Sequence, residues 1–250
     1  MTDCPELSRR NFLNVVAASA PIWVLACQAG RARAFEGAAA SEALSWVRDV
    51  EGLSQDLSTG VIAPAEWQSG LESFLSNVPL TDILSAIDFE TLADATPLAK
   101  TGVATARAPL PCIGGAPHFV YTKLFAVGDK RAVISHGHVG MASGHLVLKG
   151  KFRLRQYDRV EIADEYWTLR PTIDRMEHAG GVSTISDDRN NIHWLVAEGD
   201  AYTLDFIMAP ALKNNAWTVQ NLDIDAAATT RAGLLRTPKI DVQGALDKYG

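Results

Sequence analysis

The segment best suited to chemistry is Ile134-Ser135-His136-Gly137-His138. Side chains along a β-strand alternate between two faces, so residues two apart share one. His136 and His138 therefore share a face with Ala132 and Ile134, which are apolar, and that face reads as the interior of a β structure. Two imidazoles side by side in an apolar interior are costly unless each has a partner. A divalent cation supplies one, and neutral imidazole suits iron, nickel, zinc, copper or manganese. The third donor should come from a strand that neighbours in space. Asn191-Ile192-His193-Trp194-Leu195-Val196-Ala197 is the only later strand-like run with a histidine inside it. The expected metal ligands are thus His136, His138 and His193.

A carboxylate belongs beside them. Glu198-Gly199-Asp200 reads as a three-residue hairpin loop centred on Gly199,. It would pair Ala197 with Ala201 and Leu195 with Thr203, setting His193 opposite Asp205 on one face. A two-residue loop would turn Asp205 outward. An interior carboxylate next to a metal ligand is expensive to bury without a role, which makes Asp205 the candidate catalytic residue. His118 and His178 sit in turn-like sequence near Pro117 and Gly180 and read as surface histidines,. His145 has the opposite parity to Leu146 and Leu148, so it stays outside the ligand set, with an outer role left open,. Arg153 and Arg155 alternate with Phe152 and Leu154, as on a solvated strand face.

These residues need a β framework to hold them. Short β-type runs cover 118–127, 131–138, 145–149, 151–157, 166–170, 182–185, 191–197 and 201–209, punctuated by Gly128-Asp129, Gly180-Gly181 and Gly199-Asp200. Many short strands with turn signals between them argue a sandwich or barrel. No period repeats, which excludes a propeller or solenoid. Upstream, from Ser41 to about Leu92, the pattern is helical. Val47, Val50, Leu53 and Leu57 recur at helical steps, and Pro64 sits where a second helix can start without losing a hydrogen bond,. A third helix begins near Thr81-Asp82, after Pro79,. Pro97, Pro109, Pro111 and Gly114-Gly115 mark a loop,. The expected organisation is a helical segment over 35–96, a loop or linker over 97–117, and a barrel with a C-terminal extension over 118–250.

Composition narrows the partners. The chain has 250 residues, 47% hydrophobic and 21% charged, with a net charge of −6. No basic block could neutralise phosphates, so a nucleic-acid partner is not expected. Of the three cysteines, Cys4, Cys27 and Cys112, the first two fall in the N-terminal address described next. A single remaining thiol makes no internal disulfide.

Ser8-Arg9-Arg10-Asn11-Phe12-Leu13 resembles the twin-arginine export signal,. A mildly apolar stretch from Val15 to Ala26 follows, then Ala32-Arg33-Ala34, the order of a cleavable signal over 1–34,. The apolar run is shorter than the about 20 residues a bilayer span needs. Cleavage after Ala34 would release a soluble periplasmic or secreted protein, whereas Val24-Leu25-Ala26-Cys27 also resembles a lipobox, with a lipid anchor on Cys27. The twin-arginine machinery is thus an expected partner.

The histidine pattern resembles the cupin superfamily, whose first motif is His-x-His followed by a glutamate and a closing glycine, and whose second is built around one histidine. Gly150 closes the first motif here, and Ser143 stands at the glutamate position. The resemblance implies a mostly β fold: a cupin barrel (double-stranded β-helix, or jelly roll) preceded by a small helical segment. Within that superfamily the chain resembles the thiol dioxygenases that include cysteamine dioxygenase and the plant cysteine oxidases. His136-Gly137-His138-Val139-Gly140-Met141, Val147-Leu148-Lys149-Gly150, Tyr157-Asp158, Asn190 to Ala197 and Leu204 to Pro210 carry the likeness. It implies Fe(II) on the three histidines, with nickel, manganese or zinc as other occupants, O2 and a small thiol or N-terminal cysteine as substrates, and Asp205 orienting them. Gly137 and Val139 replace the family's aspartate and proline, and Ala211-Leu212 follows Pro210 where the family has a tyrosine. Two other readings stand beside this one: another three-histidine cupin enzyme performing an oxidation or isomerisation, and a non-catalytic metal- or ligand-binding cupin.

Overall fold

A computed structural model describes residues 45–110, 119–213 and 215–250. The signal reading over 1–34, the three cysteines and His118 lie outside the described residues.

The chain enters through helices whose apolar stripes need a surface to bury against. Helix α1 (Ser45–Thr59) buries Trp46, Val47, Val50 and Leu57 along one face. Helix α2 (Pro64–Asn77) starts on Pro64, and the Ala63 N–H donates to the Glu66 carboxylate at 2.8 Å. The remaining helical sequence forms two pieces, α3 (Leu80–Ala86) and α4 (Phe89–Asp94). Asp88 separates them with φ 49, a left-handed conformation that Asp tolerates better than most residues,.

The strands are β1 (Ala104–Arg107), β2 (Tyr121–Val127), β3 (Ala132–Val139), β4 (Ala142–Lys149), β5 (Lys151–Ile162), β6 (Tyr166–His178), β7 (Val182–Ile185), β8 (Ile192–Ala197) and β9 (Ala201–Met208). The C-terminal part adds β10 (Thr218–Asn221), β11 (Ala228–Thr229), β12 (Leu235–Pro238) and helix α5 (Val242–Tyr249). One sheet has the order β1-β2-β9-β4-β7 and the other β10-β3-β8-β5-β6-β12-β11, and the strand pairs are antiparallel. The central eight strands therefore divide as β2-β9-β4-β7 and β3-β8-β5-β6, the interleaved order of a jelly roll,. This is the mostly β architecture, with a helical segment before it, that the sequence implies. Strand β1 lies within the stretch read as a loop, where four residues between prolines are too short to stand out.

Each sheet has a covered outer face. The helices lie on the first sheet, where Leu57, Leu71 and Leu75 join Leu124, Leu146, Leu204 and Phe206 in one core. Helix α5 covers part of the second, with Ala245 and Tyr249 against Ala132, Ile134 and Trp194. Inside the barrel, Val133, Val147, Phe152, Leu154 and Leu195 form an apolar plug.

Two sequence expectations change here. Ala132 and Ile134 pack against α5, although both also border the histidine cavity. A register shift between Val133 and His136 switches the alternation, and only after it do His136 and His138 turn inward,. Glu198-Gly199-Asp200 is not a hairpin loop, because β8 pairs with β3 and β5 while β9 pairs with β2 and β4. The loop crosses from one sheet to the other. Asp205 lies between Lys123 of β2 and His145 of β4, not beside His193.

Candidate metal centre

His136 and His193 are registered partners across β3 and β8, as the search for a neighbouring strand requires. One ligand atom from each of His136, His138 and His193 falls within 4.8 Å of the others, and all three residues are buried. The His136 Nδ1–H donates to the Ile134 carbonyl at 2.7 Å, across the bulge. That bond leaves the Nε2 lone pair of His136 pointing at Nε2 of His193, 2.9 Å away. Two donors each about 2.1 Å from one ion, at a right angle, would lie at a similar separation.

The electrostatics suit a cation ligand set. Burial pushes His136 down to about 4, with the bond to Ile134 opposing it. Burial, and then the neighbouring imidazoles, hold His138 and His193 well below the ordinary histidine value. All three are neutral near pH 7 and have lone pairs to offer. Nδ1 of His138 and Nδ1 of His193 are buried without a hydrogen-bond partner. Each unsatisfied nitrogen costs about 1–3 kcal/mol, a cost that an ion bound through that same nitrogen would offset. The three-histidine group could hold a divalent metal ion, and its donor chemistry fits one.

Around the histidines is a cavity of about 180 Å³. His145 lines it too, outside the three-histidine group, where the sequence reading had left an outer role open. Leu146 and Leu148 face the helices, so the residues alternating with them face inward. The amphipathic stripes of α1 and α2 were the available signal, since they must bury against one sheet face. His145 stacks at 4.5 Å from the His193 ring, and its Nδ1 lies 2.7 Å from Oδ2 of Asp205. The Thr203 hydroxyl donates to Oδ1 of Asp205 at 2.7 Å. Ser143, at the position of the cupin glutamate, places its Oγ 3.5 Å from His145 Nε2. Asp205 therefore faces the cavity through partners the sequence reading had not assigned. His178 ends β6 and is exposed, as expected.

An ion pair braces the ligand loop from outside. Arg159 donates to the His138 carbonyl at 2.7 Å and to Asp187 at 3.0 Å, and Asp187 accepts from the Gly140 N–H at 2.7 Å. The preceding residue, Asp158, accepts from the Asn190 N–H at 2.7 Å, and Asn191 accepts from the Arg159 N–H at 2.7 Å. One short piece of β5 thus anchors both ligand-bearing strands. Asn190 takes φ 53, which explains why an asparagine can stand there,. Arg159→Met should weaken metal binding by about 10–100-fold, the usual effect of losing an outer partner. Competition against a chromophoric chelator measures this.

Gly137 has a separate physical reason. A Cβ there would lie 2.2 Å from Cζ3 of Trp167, so no larger side chain fits between the histidines. Gly137→Ala should cost about 1–3 kcal/mol by overpacking against that buried indole. A lower urea midpoint with unchanged slope is the expected result.

No family model and no curated protein matches the chain. Several solved structures are similar to part of it. A cupin superfamily protein from Desulfitobacterium hafniense is 16% identical, covering 47% of this chain and 86% of its own, with TM-score 0.32. KdgF from Halomonas sp. is 13% identical, covering 42% and 77%, with TM-score 0.31. A chain in the complex of Rhodobacter sphaeroides SigE with the anti-sigma ChrR is 22% identical, covering 53% and 56%, with TM-score 0.31. At such scores the likeness carries no argument about activity, and the fold assignment stands on the strand order.

Proposed function

We propose that this protein is an Fe(II)- and O2-dependent oxygenase of small thiols, its iron held by His136, His138 and His193. The observation that carries the proposal is the donor set: three buried, neutral imidazoles with no carboxylate among them, facing a cavity. Such a set leaves the charge of a divalent ion uncompensated, which favours an anionic ligand such as a thiolate. When bound, the ion would supply Lewis-acid chemistry that favours the thiolate and redox chemistry toward O2. Both atoms of O2 end on sulfur, so RSH and O2 give RSO2H. Sulfur loses four electrons and O2 gains them, and no further reductant is required.

Asp205 is the proposed catalytic residue, acting with His145. Its Oδ2 accepts from His145 Nδ1–H and so fixes that ring, with Nε2, 3.5 Å from Ser143 Oγ, turned to meet a group in the cavity,. Thr203 holds the other carboxylate oxygen in place. Together they orient the substrate and handle its proton. Anaerobic loading with Fe(II), followed by oxygen uptake against a panel of thiols, tests the proposal. One O2 consumed per sulfinate formed is the expected result. Tight metal binding with no uptake on any thiol would overturn it and favour a binding protein.

The proposal extends to location. The Ser8-Arg9-Arg10 segment would send the folded protein through the twin-arginine route,. Replacing Arg9 and Arg10 by Lys should retain it in the cytoplasm with the signal uncleaved, seen as a size difference between cell fractions.

A further inference from the structure

The polar groups facing the cavity are gathered rather than scattered. Lys123, Asp205 and His145 stand in register across β2, β9 and β4, with the three histidines of the metal group facing them. Much of the remaining wall is apolar: Phe125, Met141, Ile207, Trp217, Val219 and Leu246. Part of it comes from outside the eight-stranded barrel. The stretch from Ala99 to Val103 and Leu246 of α5 both line the cavity. They approach so closely that a Cβ on Gly102 would lie 2.9 Å from Cδ2 of Leu246. Segments flanking the eight barrel strands on both sides thus add a mostly apolar wall to the metal site.

We infer that the ligand of this cavity is a compact molecule with one polar head and an apolar body of about six to eight non-hydrogen atoms. An engineered cavity of about 150 Å³ lined by aliphatic side chains takes up benzene, which sets the scale for one of about 180 Å³,. The inference rests on the site reading above and narrows its substrate to an aryl or short alkyl thiol. A free amino acid fits poorly. Its ammonium would need a carboxylate, and Asp205 already stands in register beside Lys123 while accepting from His145 and Thr203. Its remaining water would be stripped against the apolar side chains that make up most of the wall,.

Toluene is the probe, because it has no thiol and needs no metal. Near-saturating toluene should raise the thermal midpoint of the metal-free protein by about 2–5 °C, since only the folded state has the cavity. Leu246→Trp fills the cavity from one wall and Val103→Phe from another, and each should abolish the shift. In the Co(II)-loaded protein, benzyl mercaptan should perturb the absorption spectrum at a concentration at least 10-fold below that of cysteine. An unchanged midpoint in the wild type, or a shift that survives in both filled variants, overturns the inference whatever thiol is oxidised. A cysteine preference in the spectral titration overturns it too. Toluene binding that both variants abolish, with no thiol oxidised, supports the inference and sinks the oxygenase reading alone.

Discussion

His193→Ala should leave the purified protein with only a small fraction of the wild-type metal after dialysis, read by mass spectrometry of the metal. His193 is the sole ligand contributed by β8, and its ring faces His136 across a registered pair. The substitution leaves two donors from one strand, His136 and His138, which cannot close three sides of an ion. The loss should exceed the about 10–100-fold that follows from removing an outer partner such as Arg159. His178→Ala, on the exposed end of β6, should leave occupancy unchanged and controls for histidine content. Full occupancy in His193→Ala would mean that another nitrogen completes the set, and His145, stacked 4.5 Å from the deleted ring, would be that donor.

The second large effect concerns turnover with metal content intact. Asp205→Asn should lower kcat by about 10²-fold or more, the scale of a lost proton-handling or positioning group. The asparagine has nearly the same volume and keeps one carbonyl oxygen. It can accept from Thr203 or from His145, but the oxygen and the NH2 group cannot serve both as two carboxylate oxygens do,. The charge beside His145 disappears as well. His145→Gln should have a comparable effect if the two side chains act as one unit. The double variant should then be little worse than either single one, because effects within a unit do not add. Wild-type kcat in Asp205→Asn would remove the residue from the catalytic machinery.

Several features were legible from residue types and spacing alone. Alternating short apolar runs between glycine and aspartate turns specify strands, because side-chain period and turn chemistry are local properties. The helical stripes over 45–77 are local for the same reason. The three histidines could also be picked out, because a pair at i and i+2 shares a face within one strand and few later strands offer a third. The inward face of Asp205 was legible too, though by a hairpin that does not exist. Its inward parity is the same whether β9 pairs with β8 or lies in the opposite sheet, so a wrong partner still gave the right face.

What the tertiary structure decided is which face of each strand is the inside. Apolar residues line both sides of the first sheet, since the helices cover one and the cavity opens on the other. Periodicity assigns residues to two sets and cannot say which set faces the barrel. The parity of His145 against Leu146 and Leu148 was read correctly and kept it out of the three-histidine group, but parity alone could not say that its face was the cavity. The bulge before His136 lies equally beyond a strand pattern, because it depends on how many residues β3 spends against β8. The pairing of Asp205 with His145 joins directly adjacent strands whose partners are 60 positions apart in sequence, which no short spacing encodes. A strand's residues set its two faces, and only the packing of sheets and helices around it chooses between them.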